Sequence, residues 1–169
     1  TDSLTGTLNR RHFMDTTRRE LERCTRYPKP FSLILFDVDG LRKINDTHGN
    51  TAGDQVLIQL ARIASEGMRD VDILGRLGGE EFCLAMPETE EGSARMVAER
   101  LQETIRNTPM AIPGAGPVHI TASLGVSACV DAVEHIDTLL RWADMALQQA
   151  KHLGPGQVVV YRHIETIED

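Results

Sequence analysis

The sequence predicts a mixed α/β or α+β fold, in which helices flank a central mixed sheet of about five strands. Short apolar segments bounded by glycine, proline or aspartate alternate with longer segments in which apolar residues recur every three or four positions. With 169 residues, 41% of them apolar, the chain is long enough for one domain with a buried core.

Helical periodicity predicts four helices, and short apolar runs predict the strands. The helices cover 9–27, ended by Pro28 and Pro30, then 54–68, 90–107 and 137–154, and the polar segment before 54 leaves room for one short helix. The strands cover 31–36, 73–77, 82–86, 118–130 and 157–162, with the second and third forming a β-hairpin. Gly125 indicates a bulge or a close approach within its strand. Trp142 and Met145 are spaced with Leu139 as core residues of the last helix.

The composition argues against several classes of protein. A net charge of −7 is not that of a general nucleic-acid binder, whose surface would be basic. Cys24, Cys83 and Cys129 are odd in number and far apart, so we expect buried, reduced thiols. No apolar run approaches the roughly 20 residues of a membrane span. We therefore expect a cytoplasmic domain without membrane contact of its own, although a membrane sensor outside these residues could tether it.

Acidic residues follow the first strand and the hairpin turn. Asp37 and Asp39 follow the strand, and Glu80 and Glu81 follow the glycine pair of the turn. Each group has an ordinary structural explanation, because aspartate is common where strands stop and turns carry solvated charges. In open α/β sheets, however, ligands bind at the carboxyl ends of strands. If the turn lies beside the first strand, the carboxylates converge, and Mg²⁺ completed by phosphate oxygens would neutralise them.

Five segments, in order along nearly the whole chain, resemble a known family. They are DSLTGTLNRR (2–11), FDVDGLRKINDTHGNTAGD (36–54), RLGGEEF (76–82), ASLGVS (122–127) and ADMALQQAK (143–151). The chain resembles the GGDEF family, the diguanylate cyclases, and GGEEF is a familiar form of the signature pentapeptide. One pentapeptide would be weak evidence, but five ordered segments are specific.

The resemblance implies a palm-like fold, as in polymerase palms and class III nucleotide cyclases, with the GGEEF turn on a β-hairpin. The family condenses two GTP molecules into cyclic di-GMP and releases two pyrophosphates. The resemblance implies that Asp37, Glu80 and the Val38 main-chain carbonyl bind Mg²⁺, for which Mn²⁺ could substitute. Glu80 is also the family's candidate acceptor of the 3′-hydroxyl proton, and Glu81 is expected near the metals and phosphates.

The resemblance also implies how GTP is held. Asn45 and Asp54 match the family's guanine-reading pair, and Asn50 stands where the family often has His. Two structural alternatives remain, since Asn45 could cap a helix and Asp54 could be the N-cap of the helix 54–68. Four residues are expected to contact phosphates: Arg42 (usually Lys in the family), Lys151, Gly78 and Gly79.

One departure from the family falls after the last helix. The family usually has Arg-Asn or Arg-Asp after Gly154, whereas this chain has Pro155-Gly156. A phosphate-binding cation is therefore missing, and we expect weaker GTP binding or turnover but unchanged metal chemistry.

An R-x-x-D motif, Arg69 to Asp72, precedes the hairpin turn. Taken alone it is most simply a solvated turn after a helix. Its position matches the family's inhibitory site, where cyclic di-GMP binds as an intercalated dimer. The resemblance implies that Arg69 and Asp72 contact guanine or phosphate there, and that Arg100 supplies another cation.

A product made from two identical GTP molecules predicts a two-fold symmetric arrangement, in which two domains each hold one GTP. We expect residues 1–169 to form a single domain, the C-terminal output module of a longer signalling protein. The main alternative is a catalytically silent domain that binds GTP or cyclic di-GMP and signals through a partner. An adenylyl or guanylyl cyclase on the same fold is disfavoured by the GGEEF segment.

Overall fold

The computed structural model describes residues 1–27, 29–129 and 135–162. Pro28 and Val130, at which a predicted helix and a predicted strand end, lie outside the described residues. The helices and strands are α1 (Arg10–Arg26), β1 (Phe31–Val38), α2 (Leu41–His48), α3 (Asn50–Gly67), β2 (Ile73–Arg76), β3 (Glu81–Pro87), α4 (Glu91–Asn107), β4 (Ala122–Cys129), α5 (Ile136–Leu153) and β5 (Val158–Val160).

The strands form one five-stranded mixed sheet in the order β2-β3-β1-β4-β5. β1 pairs antiparallel with β3 and with β4, and β3 pairs antiparallel with β2, so the predicted hairpin is present. β5 joins β4 in parallel after the crossover through α5. The predicted mixed sheet of about five strands is confirmed.

β1 is the central strand of the sheet, and helices cover both faces of the sheet there. All eight of its residues are buried, as a continuous apolar run predicts. Ile34 and Phe36 point to the face covered by α3 and α4, while Leu33 and Leu35 point to the face covered by α1 and α5. The end of β1 is therefore held firmly between two apolar layers.

Two predicted starts were wrong by four residues, and two strand ends by two: β1 runs on to Val38, and β5 stops at Val160. α3 begins at Asn50, four residues before the predicted start, because Gly49 is its N-cap, with a φ of 91° that favours glycine. Asp54 is consequently inside the helix and is not an N-cap. β4 begins at Ala122 rather than 118, because Val118 pairs instead with Met110 in an isolated bridge.

Helix α5 packs closely on β4 at Gly125. A Cβ atom at this position would lie 2.2 Å from the Ala143 carbonyl oxygen, so the glycine marks a close approach and not a bulge. Trp142, directly before Ala143 in α5, is half-buried and its ring stacks on Tyr161 with centroids 5.3 Å apart. Met145 was predicted to be in the core, but it is 54% exposed because it lies on the outer side of α5.

The three cysteines are buried and free, as predicted. Within residues 1–27, 29–129 and 135–162, no helix is both long enough and apolar enough to cross a membrane.

Candidate functional site

The hairpin turn lies beside the end of β1. In the ladder between β1 and β3, Asp37 stands directly opposite Glu81. The Leu77 N–H donates to the Glu81 carbonyl at 2.8 Å, which closes the turn around the two glycines and Glu80. The condition for convergence of the carboxylates, a turn next to the first strand, is therefore met.

Asp37 is buried at this edge, with only 2% of its surface exposed. Its Oδ2 accepts a short ionic contact from Lys151 of α5, with Nζ 2.5 Å away. Its Oδ1 is also buried but has no hydrogen-bond partner. A buried, unpartnered carboxylate oxygen is costly, and an external cation would satisfy it.

The electrostatics of Asp37 reflect this environment. Burial raises the pKa of Asp37 from 3.8 to about 6, the charges of Glu80 and Asp39 add to the rise, and Lys151 opposes it. For Lys151, burial lowers the pKa, but the hydrogen bond and charge of Asp37, together with Glu80 and Glu81, raise it overall. The charge of the Lys151 ammonium therefore does not fully compensate the neighbouring carboxylates of Asp37 and Glu80, and a further cation would be attracted to them.

An open cleft of about 410 Å³ lies at the end of β1. It is lined by five of the predicted site residues, Asp37, Val38, Arg42, Glu80 and Lys151. Pro155 lines it as well, so the position that carries Arg in the family faces this cleft.

Glu81 is at the same edge but outside the lining of the cleft. Because it stands opposite Asp37 in the ladder, its side chain points to the α5 face of the sheet. Burial raises the pKa of Glu81, the charge of Asp144 raises it further, and Lys151 and Arg10 lower it. Glu81 therefore belongs to the electrostatic surroundings of Asp37 and Lys151.

The two glycines of the turn, Gly78 and Gly79, have open space where a side chain would begin. No heavy atom of the described chain, apart from direct neighbours, lies within 4 Å of a Cβ built on Gly78 or Gly79, and neither has a positive φ. Neither packing nor backbone conformation in this chain therefore requires glycine. Their carbonyls accept from Arg76, at 3.3 Å and 2.5 Å, which also pairs with Asp2, so the N-terminal segment supports the turn.

Sequence reasoning missed the role of Asp39. Its Oδ1 accepts from the Ser123 hydroxyl at 2.6 Å, and its Oδ2 accepts from the Thr121 hydroxyl at 2.7 Å and the Gly156 N–H at 2.8 Å. Two neighbouring aspartates thus have opposite environments, one saturated by donors of the protein and one with an unpartnered oxygen. The D-x-D spacing alone could not distinguish them.

The residues at this edge fit a hard divalent cation. Within the described part of the chain, no three His, Cys, Asp or Glu side chains form a ready metal cage. Mg²⁺, however, is commonly held by one or two carboxylates completed by phosphate oxygens and waters. Asp37, with its unpartnered oxygen, and Glu80 at the same cleft supply that set.

The comparisons with known proteins agree with this geometry. The family model described as "Diguanylate cyclase, GGDEF domain" matches residues 1–157. The chain is a member of the GGDEF family.

Similar proteins include the response regulator PleD of Caulobacter vibrioides, 37% identical over 94% of this chain and 35% of its own length. The probable diguanylate cyclase DgcC of Escherichia coli is 34% identical over 94% of this chain and 42% of its own length. The chain thus spans less than half of these curated relatives.

Among solved structures, the active GGEEF domain of a diguanylate cyclase from Vibrio cholerae has a TM-score of 0.85 and 31% identity over 93% of this chain and 99% of its own. The GGDEF domain of DgcB from Caulobacter crescentus, in complex with c-di-GMP, has a TM-score of 0.91 and 25% identity over 96% and 93%. The predicted palm-like fold is confirmed.

The GGDEF residues expected to read guanine lie on α2 and α3. Asn45 is inside α2 and caps neither helix, since Gly40 and Gly49 occupy the two N-cap positions. The Asn45 Oδ1 is buried without a hydrogen-bond partner and would lie 2.1 Å from a Cβ at position 53.

The other two expected guanine contacts are exposed on one side of α3. Asn50 and Asp54 lie four residues apart in the helix and so share a face. None of the three expected guanine contacts lines the cleft at Asp37. The structure brings them to the neighbouring α2–α3 pair.

The R-x-x-D motif forms a closed pair in this GGDEF domain. Asp72 is buried and accepts from the Arg69 backbone N–H at 2.9 Å and from its Nη2 at 2.9 Å. The same Nη2 donates to the Thr89 hydroxyl at 2.7 Å and the Pro87 carbonyl at 3.0 Å. The motif is therefore not merely a solvated turn, because Asp72 and the β3 end hold the guanidinium in one orientation.

Arg100 is exposed on α4 and lines a separate pocket of about 260 Å³ with Ile63, Leu84 and Leu101. Among the described residues, no hydrogen bond or ion pair joins it to Arg69 or Asp72. Its predicted part in an inhibitory site stays a prediction.

Proposed function

We propose that this domain is a diguanylate cyclase, which condenses two GTP molecules into cyclic di-GMP and releases two pyrophosphates with Mg²⁺ or Mn²⁺ as cofactor. The buried, unpartnered Oδ1 of Asp37 carries the proposal, because Asp37 lines an open cleft together with Glu80 and Lys151. Membership of the GGDEF family supports it.

Asp37, Glu80 and the Val38 carbonyl would hold the metal ion. A bound divalent ion would lower the pKa of the attacking 3′-hydroxyl and neutralise charge on the triphosphate. The hydroxyl oxygen forms a bond to the α-phosphorus of the other GTP, and the bond to pyrophosphate breaks. Glu80 is exposed at the turn and is the candidate acceptor of the hydroxyl proton.

Lys151 and Arg42 would bind the phosphates. In the metal-free domain the Lys151 ammonium is paired with Asp37. A cation bound at Asp37 would replace it there, and the ammonium could then bind a phosphate oxygen. The bare backbone of Gly78 and Gly79 allows a phosphate or base to approach closely.

Asn45, Asp54 and Asn50 would recognise guanine. A carboxylate can accept from the N1–H and N2–H of guanine, and an amide N–H₂ group can donate to guanine O6 or N3. The unpartnered Oδ1 of Asn45 supports this assignment, because a buried amide oxygen without a donor is rare in a structural role.

Two domains would combine to build the product, since each holds one GTP. Specific activity should therefore rise with protein concentration, measured as initial rate per milligram over a hundredfold dilution series. Activity independent of dilution would reject the half-site arrangement.

The main competing function is that of a silent nucleotide-binding domain, which Pro155 favours because it lines the cleft in place of a phosphate-binding cation. Incubation with GTP and Mg²⁺ followed by chromatography separates the possibilities. Cyclic di-GMP supports the cyclase, unchanged GTP supports the silent domain, and cyclic GMP indicates a mononucleotide cyclase.

Product inhibition through Arg69, Asp72 and Arg100 is a further part of the proposal. The exposed guanidinium of Arg69, held by Asp72 and Thr89, suits a guanine edge or phosphate. We also propose that the domain works in the cytoplasm as the C-terminal output module of a longer signalling protein. The greater length of the curated relatives supports only that the domain belongs to a longer protein.

A further inference from the structure

Asp39 joins three chain segments that meet at the cleft. It follows β1 directly, its hydroxyl donors Thr121 and Ser123 stand at the start of β4, and its backbone donor Gly156 follows α5. We call these four residues the Asp39 cluster. With three donors on its two oxygens, the carboxylate has little capacity left for a metal ion, so its role differs from that of Asp37.

The Asp39 cluster also fixes the peptide unit that carries the Val38 carbonyl. The Asp39 N–H donates to the Thr121 carbonyl at 2.9 Å, toward β4. In a trans peptide the C=O and N–H of one unit point in opposite directions, and none of the described peptide bonds is cis. The Val38 carbonyl therefore points away from β4, toward the β3 side of the sheet, where Glu80 lies.

On its other side, the Asp39 cluster fixes the turn after α5. Gly156 has a φ of 70°, and its carbonyl accepts from Gln102 Nε2 at 2.9 Å and from Arg106 Nη2 at 3.4 Å. Because this φ lies in the left-handed region, the turn favours glycine, and a Cβ here would in addition lie 2.6 Å from Arg106 Nη2. The backbone of Gly156 thus ties α4 and the turn to Asp39.

We propose that Asp39 is a positioning residue, which holds the Val38 carbonyl and the turn at Gly154–Gly156 in the geometry that a divalent metal ion needs at Asp37 and Glu80. This inference rests on the proposed metal-dependent function. Groups that orient metal ligands from outside the coordination sphere typically change metal affinity by about 10–100-fold when they are removed.

Asp39→Asn tests the proposal, because the amide is isosteric but presents an N–H₂ group to a hydroxyl or to the Gly156 N–H. Mn²⁺ affinity is measured from the electron paramagnetic resonance signal of free Mn²⁺, in the presence of a non-hydrolysable GTP analogue and at a temperature well below unfolding. We expect Mn²⁺ binding about tenfold weaker, with affinity for the analogue in metal-free buffer within about twofold of the wild type. Asp46→Asn, on the exposed side of α2, is the matched control.

A second variant keeps the test decisive if Asp39→Asn does not fold. Thr121→Val combined with Ser123→Ala retains the carboxylate and removes its two hydroxyl donors, and it should weaken Mn²⁺ binding in the same direction by a smaller factor. Unchanged Mn²⁺ affinity in the folded variants would overturn the positioning role.

Product analysis of the wild type separates this proposal from the proposed function. A wild type that makes no cyclic di-GMP, with Mn²⁺ binding that still weakens in Asp39→Asn, would overturn the cyclase assignment and support the positioning role. A wild type that makes cyclic di-GMP, with variants that bind Mn²⁺ normally, would overturn the positioning role alone. A wild type that binds no Mn²⁺ overturns both.

Discussion

The edge of the sheet where Asp37 meets Lys151 (the Asp37 edge) and the R-x-x-D turn both contain a buried carboxylate paired with an exposed cation. Asp37 pairs with Lys151 and Asp72 pairs with Arg69, and the carboxylate side chains are 3% and 5% exposed. The two pairs differ in what remains unsatisfied. Asp37 keeps one oxygen without a partner, whereas both oxygens of Asp72 accept from Arg69.

This difference indicates different ways of binding. The cleft at the Asp37 edge is lined by three carboxylates and two basic side chains, so it is suited to take up a further cation. In the R-x-x-D turn both Asp72 oxygens are already occupied by Arg69. A ligand there would contact the exposed guanidinium of Arg69, while Asp72 holds that guanidinium in place. The same pairing of residue types would thus suit one site to the proposed metal ion and the other to the proposed anion or base edge.

The largest effect is expected from Glu80→Gln, which removes one of the three carboxylates that line the cleft at the Asp37 edge. Cyclic di-GMP synthesis should fall by about 10²-fold or more, because the amide neither neutralises the metal nor accepts a proton. Initial rates at saturating Mg²⁺ measure it, with Glu103→Gln on the exposed face of α4 as control. A fully active variant would remove Glu80 from the site.

Arg69→Ala tests the second region. Inhibition by cyclic di-GMP should weaken by about tenfold or more, because charge-assisted hydrogen bonds are lost, while initial rates stay close to the wild type. The inhibition constant from progress curves measures the change, and Arg95→Ala on α4 is the matched control. An unchanged constant would reject the inhibitory site.

Asp37→Asn should stabilise the metal-free domain at neutral pH. Burial raises the pKa of Asp37 from 3.8 to about 6, so the folded domain holds this proton more tightly than the unfolded chain. The resulting stability is fully present below about pH 4 and is lost as the pH rises through about 6. Asparagine mimics the protonated acid and should add about 1–2 kcal/mol near pH 8.

Urea unfolding in EDTA, near pH 8 and below about pH 4, measures the difference in free energy of unfolding between Asp37→Asn and the wild type. The gain should disappear below about pH 4, where the wild type is itself protonated. Mg²⁺ with a GTP analogue should stabilise the wild type more than the variant. A variant that is less stable than the wild type near pH 8 would contradict the account of an unsatisfied carboxylate.

The smallest effect is expected from Thr89→Val. The Thr89 hydroxyl accepts from Arg69 Nη2 and donates to the Pro87 carbonyl, so its loss leaves Asp72 as the main support of the guanidinium. Inhibition by cyclic di-GMP should weaken about two- to threefold, because Asp72 and the Pro87 carbonyl still hold the guanidinium. A change as large as that of Arg69→Ala would mean that the turn at the end of β3, rather than Asp72, orients the arginine.

Local patterns predicted most of the fold and the convergence of Asp37 with the hairpin turn. A buried apolar run, amphipathic helices and a glycine turn each depend on neighbours in sequence, which a reader of the chain can see. The ends of α3 and β4 were misplaced because glycine caps and an isolated bridge decided them.

The partners of the site side chains could not be predicted, because they come from distant segments. The Gly156 N–H reaches Asp39 across 117 positions, and Arg76 reaches Asp2 across 74. Whether Asp37 or Asp39 keeps an oxygen without a partner depends on which of them faces the hydroxyls at the start of β4. The D-x-D spacing carries no information about that. The same limit applies to Thr89, whose hydroxyl contacts Arg69 only because β3 ends beside it.

Trp142 is the only tryptophan in the sequence, and its stacking on Tyr161 gives the domain an intrinsic fluorophore. Lys151 lies on the same helix, about 14 Å further along its axis. The indole stacks against the residue that follows β5, so its emission depends on how α5 and β5 sit against each other. Stopped-flow fluorescence could therefore follow nucleotide and metal binding in the unlabelled protein.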